Sequence, residues 1–258
     1  MRQEVISVET KLSTHRLDAL FLRDKNLVDE VIGKMSFTDA MFYHIIGIPP
    51  TRGQTSVLDA VLVTLMEHGL TPSSISTRLT YLSAPEAMQS AIAAGLLNVG
   101  SQFIGTMENA ATLLARIQAD PAGVNASCRQ IVQQHKDAGK HMPGFGHHLH
   151  RPDDPRSPKL FAIASSYDDI DQRPINTIKT LSSIVDRMYG KHLTINATGA
   201  TAAVLMGASI PPRIMRGFAV ISRAAGLVAH VMEEQETPTG RAIWDIVDNH
   251  IPYTGKSE

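Results

Sequence analysis

The sequence predicts a mostly α-helical fold, and three observations carry that expectation. Apolar residues recur at three-and-four spacing over several long segments. Those segments carry helix-start and helix-stop residues at their ends. Alternating apolar and polar runs of the kind that build half-buried strands are nearly absent, with 193–195 as the lone candidate.

The elements follow in chain order. Over 57–66, Leu58, Val61, Leu62, Leu65 and Met66 line one helical face, and Glu67-His68-Gly69 ends it. Ser83-Ala84-Pro85-Glu86 has the form of a capping box with proline in the first turn, which predicts a helix from there through Leu97. A helix over 127–139 has Ser127 as its cap and Gly139 as its stop; another over 177–189 runs into Gly190. Pro211-Pro212 opens a long helix in which Ile214, Phe218, Ile221, Ala225, Val228 and Met232 keep one apolar face to about Glu234. Two loop-rich stretches, 140–158 and 190–200, bracket a helical block. That arrangement suggests a smaller lobe inserted into a helical body, with a site at the seam.

Bulk properties narrow the function. A chain of 258 residues can bury a large core, as one big domain or two unequal ones. Its 24 Lys and Arg against 25 Asp and Glu leave a net charge of -1, so no long-range field favours nucleic acid or an anionic membrane. The single cysteine, Cys128, excludes an intramolecular disulfide framework and fits a reducing cytoplasm. The first thirty residues mix charges without a secretory pattern, and no apolar run approaches the roughly 20 residues of a membrane span. The expectation is a soluble cytoplasmic protein.

Chemistry concentrates in the run from Pro143 to Arg156, Pro-Gly-Phe-Gly-His-His-Leu-His-Arg-Pro-Asp-Asp-Pro-Arg. Gly144 and Gly146 let backbone approach a ligand closely. His147 follows at once, the side chain best matched to proton transfer near neutrality. Arg151 and Arg156 supply forked donors for carboxylates or phosphates, so the segment suits an anionic substrate. The imidazoles of His147, His148 and His150 also fit a metal site, but no cysteine lies nearby and the close arginines would repel a cation; no metal is expected. His68 ends a helix before Gly69, where its ring projects either into a cleft or simply onto the helix dipole. Arg223, amid Val220, Ile221, Ala224 and Ala225, must either snorkel or meet a buried anion, and His230 shares its helical face. Asn196-Ala-Thr-Gly199 is a polar turn entering an apolar helix, by itself only a capped start.

Taken in order, these pieces resemble the citrate synthase superfamily, and more closely its cleaving branch of citryl-CoA lyase and the C-terminal module of ATP-citrate lyase. The resemblance runs from about Gly47 to Gly255. It rests on Leu65-Met-Glu-His-Gly69, Gly95-Leu-Leu-Asn-Val-Gly100 with Phe103-Ile-Gly105, Pro143 to His147 with Asp154-Pro-Arg156, Leu193-Thr-Ile-Asn196, the helix holding Arg223, Ala229-His230, and Pro252-Tyr-Thr-Gly255. Synthases carry a histidine where this chain has Phe103; the lyase branch has phenylalanine, so Phe103 points to the lyase branch. Both branches carry an aspartate where this chain has Thr198, and a threonine hydroxyl is too weak an acid or base to replace it. Water, or a neighbour such as Asp154 or Glu233, would have to deliver that proton.

The resemblance implies a helical fold with a large lobe (1–104 and 210–258) and a small one (105–209), closing over a site at their seam. It implies a homodimer or higher oligomer and retro-aldol cleavage of citryl-CoA, or a close relative, to acetyl-CoA and oxaloacetate. His147 would exchange the hydroxyl proton and His68 would hydrogen-bond the hydroxyl or a carboxylate. Arg156 and Arg223 would hold carboxylates, with Phe103 and His148 also against the substrate and Thr198 in the aspartate slot. No metal or redox cofactor is implied; coenzyme A arrives as part of the substrate, and a separate CoA ligase would have to make the thioester. The alternatives are a synthase-type condensation and a non-catalytic acyl-CoA-binding subunit.

Overall fold

A small antiparallel sheet precedes the helices and corrects the expectation that 193–195 was the lone strand. In the computed structural model, which describes residues 8–100, 106–147 and 149–255, β1 (Ser13–His15), β2 (Leu20–Leu22) and β3 (Lys25–Asn26) pair in sequence order. Strands this short leave no room for alternation to register. The segment 193–195 instead contributes one isolated bridge, between Phe145 and Ile195. Asn26 then caps a single wide turn, Leu27–Val31, through its side-chain oxygen.

Three of the α-helices start where a side chain satisfies a first-turn amide. A capping box of Ser36 and Asp39 opens α1 (Phe37–Ile46), which closes at left-handed Gly47. A second capping box, Thr51 with Gln54, opens α2 (Arg52–Met66) earlier than its apolar face indicated. Next is α3 (Pro72–Ser83). Ser83 therefore ends a helix rather than opening one, and its hydroxyl donates to the Leu79 carbonyl at 3.1 Å. The reason for the misreading is that α3 buries Ser73, Ser74, Thr77 and Arg78, so it carries no apolar stripe to announce it. After a turn holding Pro85 comes α4 (Met88–Leu96).

The second half continues with α5 (Thr106–Ala119) and α6 (Val124–Asp137). Because α6 starts after Gly123, Ser127 is a buried residue within it and not its cap. The next pair, α7 (Arg156–Ser165) and α8 (Arg173–Tyr189), precedes α9 (Ala197–Gly207), whose cap is the Asn196 side chain bonded to the Gly199 amide at 3.0 Å. A short 3-10 turn, Pro212–Ile214, feeds α10 (Met215–Glu236), and α11 (Gly240–His250) follows. By length and hydropathy Pro212–Glu236 would pass as a membrane span. It packs instead against α2, α3 and α4 and buries Ser222, Arg223, His230 and Glu234 among them.

At the centre lies α9. Residues Ala200 to Leu205 are fully buried, which makes it apolar all round, as a core helix must be. It packs against α5, α7 and α8 on one side and α2 on another. One apolar core joins both groups of helices, from Phe42 and Leu58 through Leu114, Ile178 and Leu205 to Phe218.

The two loop-rich stretches meet at the start of α9. The Gly146 amide donates to the Thr194 carbonyl at 2.8 Å, and the Asn196 amide to the Gly144 carbonyl at 3.0 Å. Gly144 has φ 83°, and a Cβ there would stand 2.8 Å from the Gly199 Cα. Gly144→Ala should therefore cost about 2–4 kcal/mol of stability, from the left-handed backbone plus overpacking. Gly190→Ala, with φ 67° but open space, should cost only the backbone part, about 1 kcal/mol. Urea unfolding of both variants checks this; equal losses would remove the close approach from the account.

Candidate active site

Three imidazoles converge where α2 ends and the 143–156 loop passes. The ring centroids of His147 and His150 lie 4.3 Å apart, and each is 5.6 Å from that of His68. One nitrogen of each ring falls within 4.8 Å of the others, and all three residues are partly buried. His68 reaches this point because α2 stops at Met66 and Gly69, at φ 73°, turns the chain into α3. His148 and Phe103, both expected against the substrate, lie outside the described residues.

The loop fixes the state of His147. Its Nδ1 accepts the backbone amides of Leu149 at 3.1 Å and His150 at 3.0 Å. An acceptor nitrogen carries no proton, so the neutral ring is protonated on Nε2 and presents a donor to whatever sits in the site. This bears on metal binding too. Ligation through Nε2 would place the ring's proton on Nδ1, against two amide donors, and ligation through Nδ1 would take the lone pair from those amides. The donor set does not fit a tris-imidazole metal centre as the loop stands.

Asp154 anchors the loop. Its carboxylate is fully buried, accepting the Arg156 amide at 3.1 Å, Arg156 Nε at 2.9 Å, Arg156 Nη2 at 2.8 Å and the Ala197 amide at 2.9 Å. The Asp154 amide in turn donates to Thr194 Oγ1 at 2.9 Å, and Ser157 Oγ donates to the Ile195 carbonyl at 2.6 Å. Burial works to raise the Asp154 pKa, but the Arg156 bonds and the Ala197 amide outweigh it and hold the carboxyl below the usual range. An aspartate so engaged is an anchor rather than a proton donor. Arg156, expected to clamp a carboxylate, has its fork taken up by Asp154, leaving only its remaining N–H groups for a ligand.

Arg223 is 4% exposed, and its Nε and Nη1 have no hydrogen-bond acceptor among the described residues. Its nearest anion is Glu67, at 3.7 Å from Nη1. Burial pulls the Arg223 pKa down, with Glu67 opposing. Glu67 connects the whole region. It accepts the His68 amide at 2.7 Å and faces His230 Nε2 at 2.9 Å. Burial tends to raise its pKa, yet the His68 amide, His230 and Arg223 keep it below its ordinary value. His230 Nδ1 accepts from Arg78 Nε at 3.0 Å. Arg78 is almost fully buried and also binds Glu233 and Glu234, and Glu234 receives the amides of Thr239 and Gly240 at the start of α11. The sequence reading overlooked both Glu67 and Arg78 as site residues. An arginine inside an unpatterned helix was the available signal for Arg78.

Thr198 lies in a hydroxyl chain. It accepts from Thr106 Oγ1 at 2.9 Å and donates to Asn196 Oδ1 at 2.7 Å, while the Asn196 amide group holds the Gly146 carbonyl at 2.9 Å. Its proton is thus directed at Asn196. Glu233, the other proposed proton source, is 63% exposed on α10 and bound to Arg78.

Comparison with known proteins follows the same outline. The chain matches the model of the citrate synthase C-terminal domain over residues 14–244. A putative citrate synthase 2 of Mycobacterium tuberculosis is 24% identical over 188 residues, 72% of this chain; the chain spans about half (49%) of that relative's length. The structure of citryl-CoA lyase from Hydrogenobacter thermophilus superposes with a TM-score of 0.86 at 28% identity, covering 97% of this chain and 96% of that one. ATP citrate lyase from Methanothrix soehngenii, solved with citrate and coenzyme A, gives 0.82 at 18% identity over all of this chain and 43% of its own, a likeness of fold.

The anchoring role of Asp154 predicts a stability change with a pH signature. Asp154→Asn leaves the partly exposed Arg156 fork without its anion and should cost about 1–3 kcal/mol. Because the folded pKa lies below the unfolded one, near 3.9, the unfolded chain takes the proton first as pH falls. The stabilisation is therefore complete above the unfolded value and lost as pH drops through the folded one. Stability measured by urea unfolding from pH 7 down to 3 should fall less steeply in the variant below about pH 4; identical acid limbs would contradict the assignment.

Proposed function

The chain belongs to the citrate synthase family, and we propose that it is a citryl-CoA lyase, cleaving citryl-CoA or a close 3-hydroxy-3-carboxyacyl-CoA to acetyl-CoA and oxaloacetate. The observation that carries the reading is the convergence of His68, His147 and His150, linked through Glu67 to the buried guanidinium of Arg223, whose Nε and Nη1 have no acceptor among the described residues. End-to-end superposition on a citryl-CoA lyase supports it, as does phenylalanine at 103 in place of the synthase histidine.

The chemistry is a retro-aldol step. A tertiary hydroxyl loses its proton, the C–C bond breaks, and the oxygen becomes a ketone while the acetyl thioester leaves as an enolate. Arg223 offers its Nε and Nη1 donors to a substrate carboxylate, where the fork gives both charge and orientation. His147 presents Nε2–H to the oxygen on which charge develops, which is electrostatic stabilisation by a preorganised donor. This refines the expectation that His147 itself takes the hydroxyl proton. His68 supports the same oxygen or a neighbouring carboxylate. Thr198, with its proton on Asn196, does not protonate the enolate directly; water does, and we expect that step to be slow. No resident metal or redox cofactor enters this scheme.

We further propose that the chain works as two lobes, 105–209 and the remainder, that close over the substrate, since closure excludes water from a reacting enolate. A homo-oligomer is the proposed assembly, supported by the exposed apolar side chains of Trp244, Ile246, Val247, Ile251 and Tyr253 along α11 and just beyond it. The thioester substrate would come from a separate ATP-dependent CoA ligase.

Two measurements test this reading. Incubated with citryl-CoA, the protein should release oxaloacetate, read by coupled reduction to malate. With acetyl-CoA and oxaloacetate it should release little free thiol. Rapid thiol release without citryl-CoA cleavage would make it a synthase, and turnover in neither assay would make it a binding subunit. Arg223→Lys should raise KM by tenfold or more, because an ammonium cannot reproduce a two-point contact; an unchanged KM would exclude the carboxylate role.

A further inference from the structure

We infer that His150 is a second catalytic imidazole, the base that takes the hydroxyl proton as the C–C bond breaks. This inference rests on the citryl-CoA reading. With His147 Nδ1 bonded to the amides of Leu149 and His150, the neutral ring has the proton on Nε2 and holds no lone pair for another. It can stabilise an alkoxide but cannot make one. Some other group within reach of the same oxygen must remove the proton.

The carboxylates near the site are already engaged. Asp154 is buried under Arg156 and the Ala197 amide, and Glu67 is held by the His68 amide, His230 and Arg223. Asp153, exposed at the surface, pairs with His192. Of the two other imidazoles among the described residues, His150 is the nearer to His147, at 4.3 Å between ring centroids against 5.6 Å for His68. A nitrogen of His150 also lies within 4.8 Å of one in the His147 ring, which sets His150 beside a substrate oxygen held by His147. The loop makes this pairing by construction, because the backbone amide of His150 is one of the two donors that orient the His147 ring. Among the described residues, the rings packed against His150 are those of His147, from its own loop, and His68, from the end of α2.

The step balances. The hydroxyl proton passes to a ring nitrogen of His150, the O–H electrons form the ketone C=O, and the C–C electrons pass to the thioester as the enolate. The imidazolium then returns its proton through water to the enolate carbon, leaving the ring neutral for the next turnover. No oxidant, reductant or metal takes part.

The test uses the full chain and citryl-CoA. His150→Gln keeps a polar side chain but no base, and kcat should fall by about 10²–10⁴-fold with little change in KM. The acid limb of the wild-type kcat profile should vanish in the variant. His150→Ala should recover part of its rate on adding free imidazole, which a purely structural defect would not, and this arm decides the matter if the glutamine variant folds poorly. Near-normal kcat, or a reduced rate with the acid limb intact and no imidazole rescue, would overturn the assignment. Cleavage abolished by a chelator and restored by zinc would also overturn it, giving the three rings to a metal. An active wild type with an unaffected variant would sink this inference alone, whereas a wild type inert towards citryl-CoA would sink the functional reading with it.

Discussion

The site depends on one carboxylate that water does not reach. Asp154 is buried and must find all its donors in the protein. It finds them in the amide and guanidinium of Arg156 and in the amide that begins α9. Those bonds tie the histidine loop to the start of the central helix and set where α7 begins. The loop then has little freedom left. Gly144 and Gly199 cross in near contact, Phe145 bridges to Ile195, and the next turn aims the His147 ring with two backbone amides. The tautomer of the neutral His147 ring thus follows from backbone geometry, and that geometry is tied to one buried anion.

A second anion organises the other wall. Glu67 caps α2 and links the amide of His68 to Arg223 and His230 on α10. Arg223 is the less satisfied partner. A guanidinium this buried, at 3.7 Å from a single shared carboxylate and with two nitrogens unbonded among the described residues, is costly in isolation. A multiply charged carboxylate ligand would complete it, which is why we read the strain as a feature of the site rather than of the core. The chain of contacts continues outward through His230 and Arg78 to Glu234 and α11, so the exposed apolar end of the molecule is mechanically joined to the site.

Much of this was legible in the sequence. Helical periodicity exposed α2, α8 and α10, and the density of His, Arg, Asp and Gly exposed the 143–156 loop. What escaped had physical reasons. Helix α3 faces the protein with Ser73, Ser74, Thr77 and Arg78, so an apolar stripe never formed. The three strands, of three, three and two residues, are shorter than the roughly 4–8 residues over which alternation can be read. Histidine 150 was visible only as a neighbour of His147, because its closeness to His68 is a long-range contact that no local spacing encodes. The lone proton donor of Thr198 could be named as weak from its chemistry, but its commitment to Asn196 required the fold.

The central claim is that this cluster is built to hold the hydroxyl and the two free carboxylates of citryl-CoA. A crystal structure of the protein grown with coenzyme A and citrate tests it most directly. The account predicts a citrate carboxylate on the Nε and Nη1 of Arg223 and the citrate hydroxyl oxygen within hydrogen-bond distance of His147 Nε2, with the coenzyme A sulfur facing that site. Citrate bound elsewhere, with Arg223 still turned to Glu67 alone and the three imidazoles untouched, would contradict it.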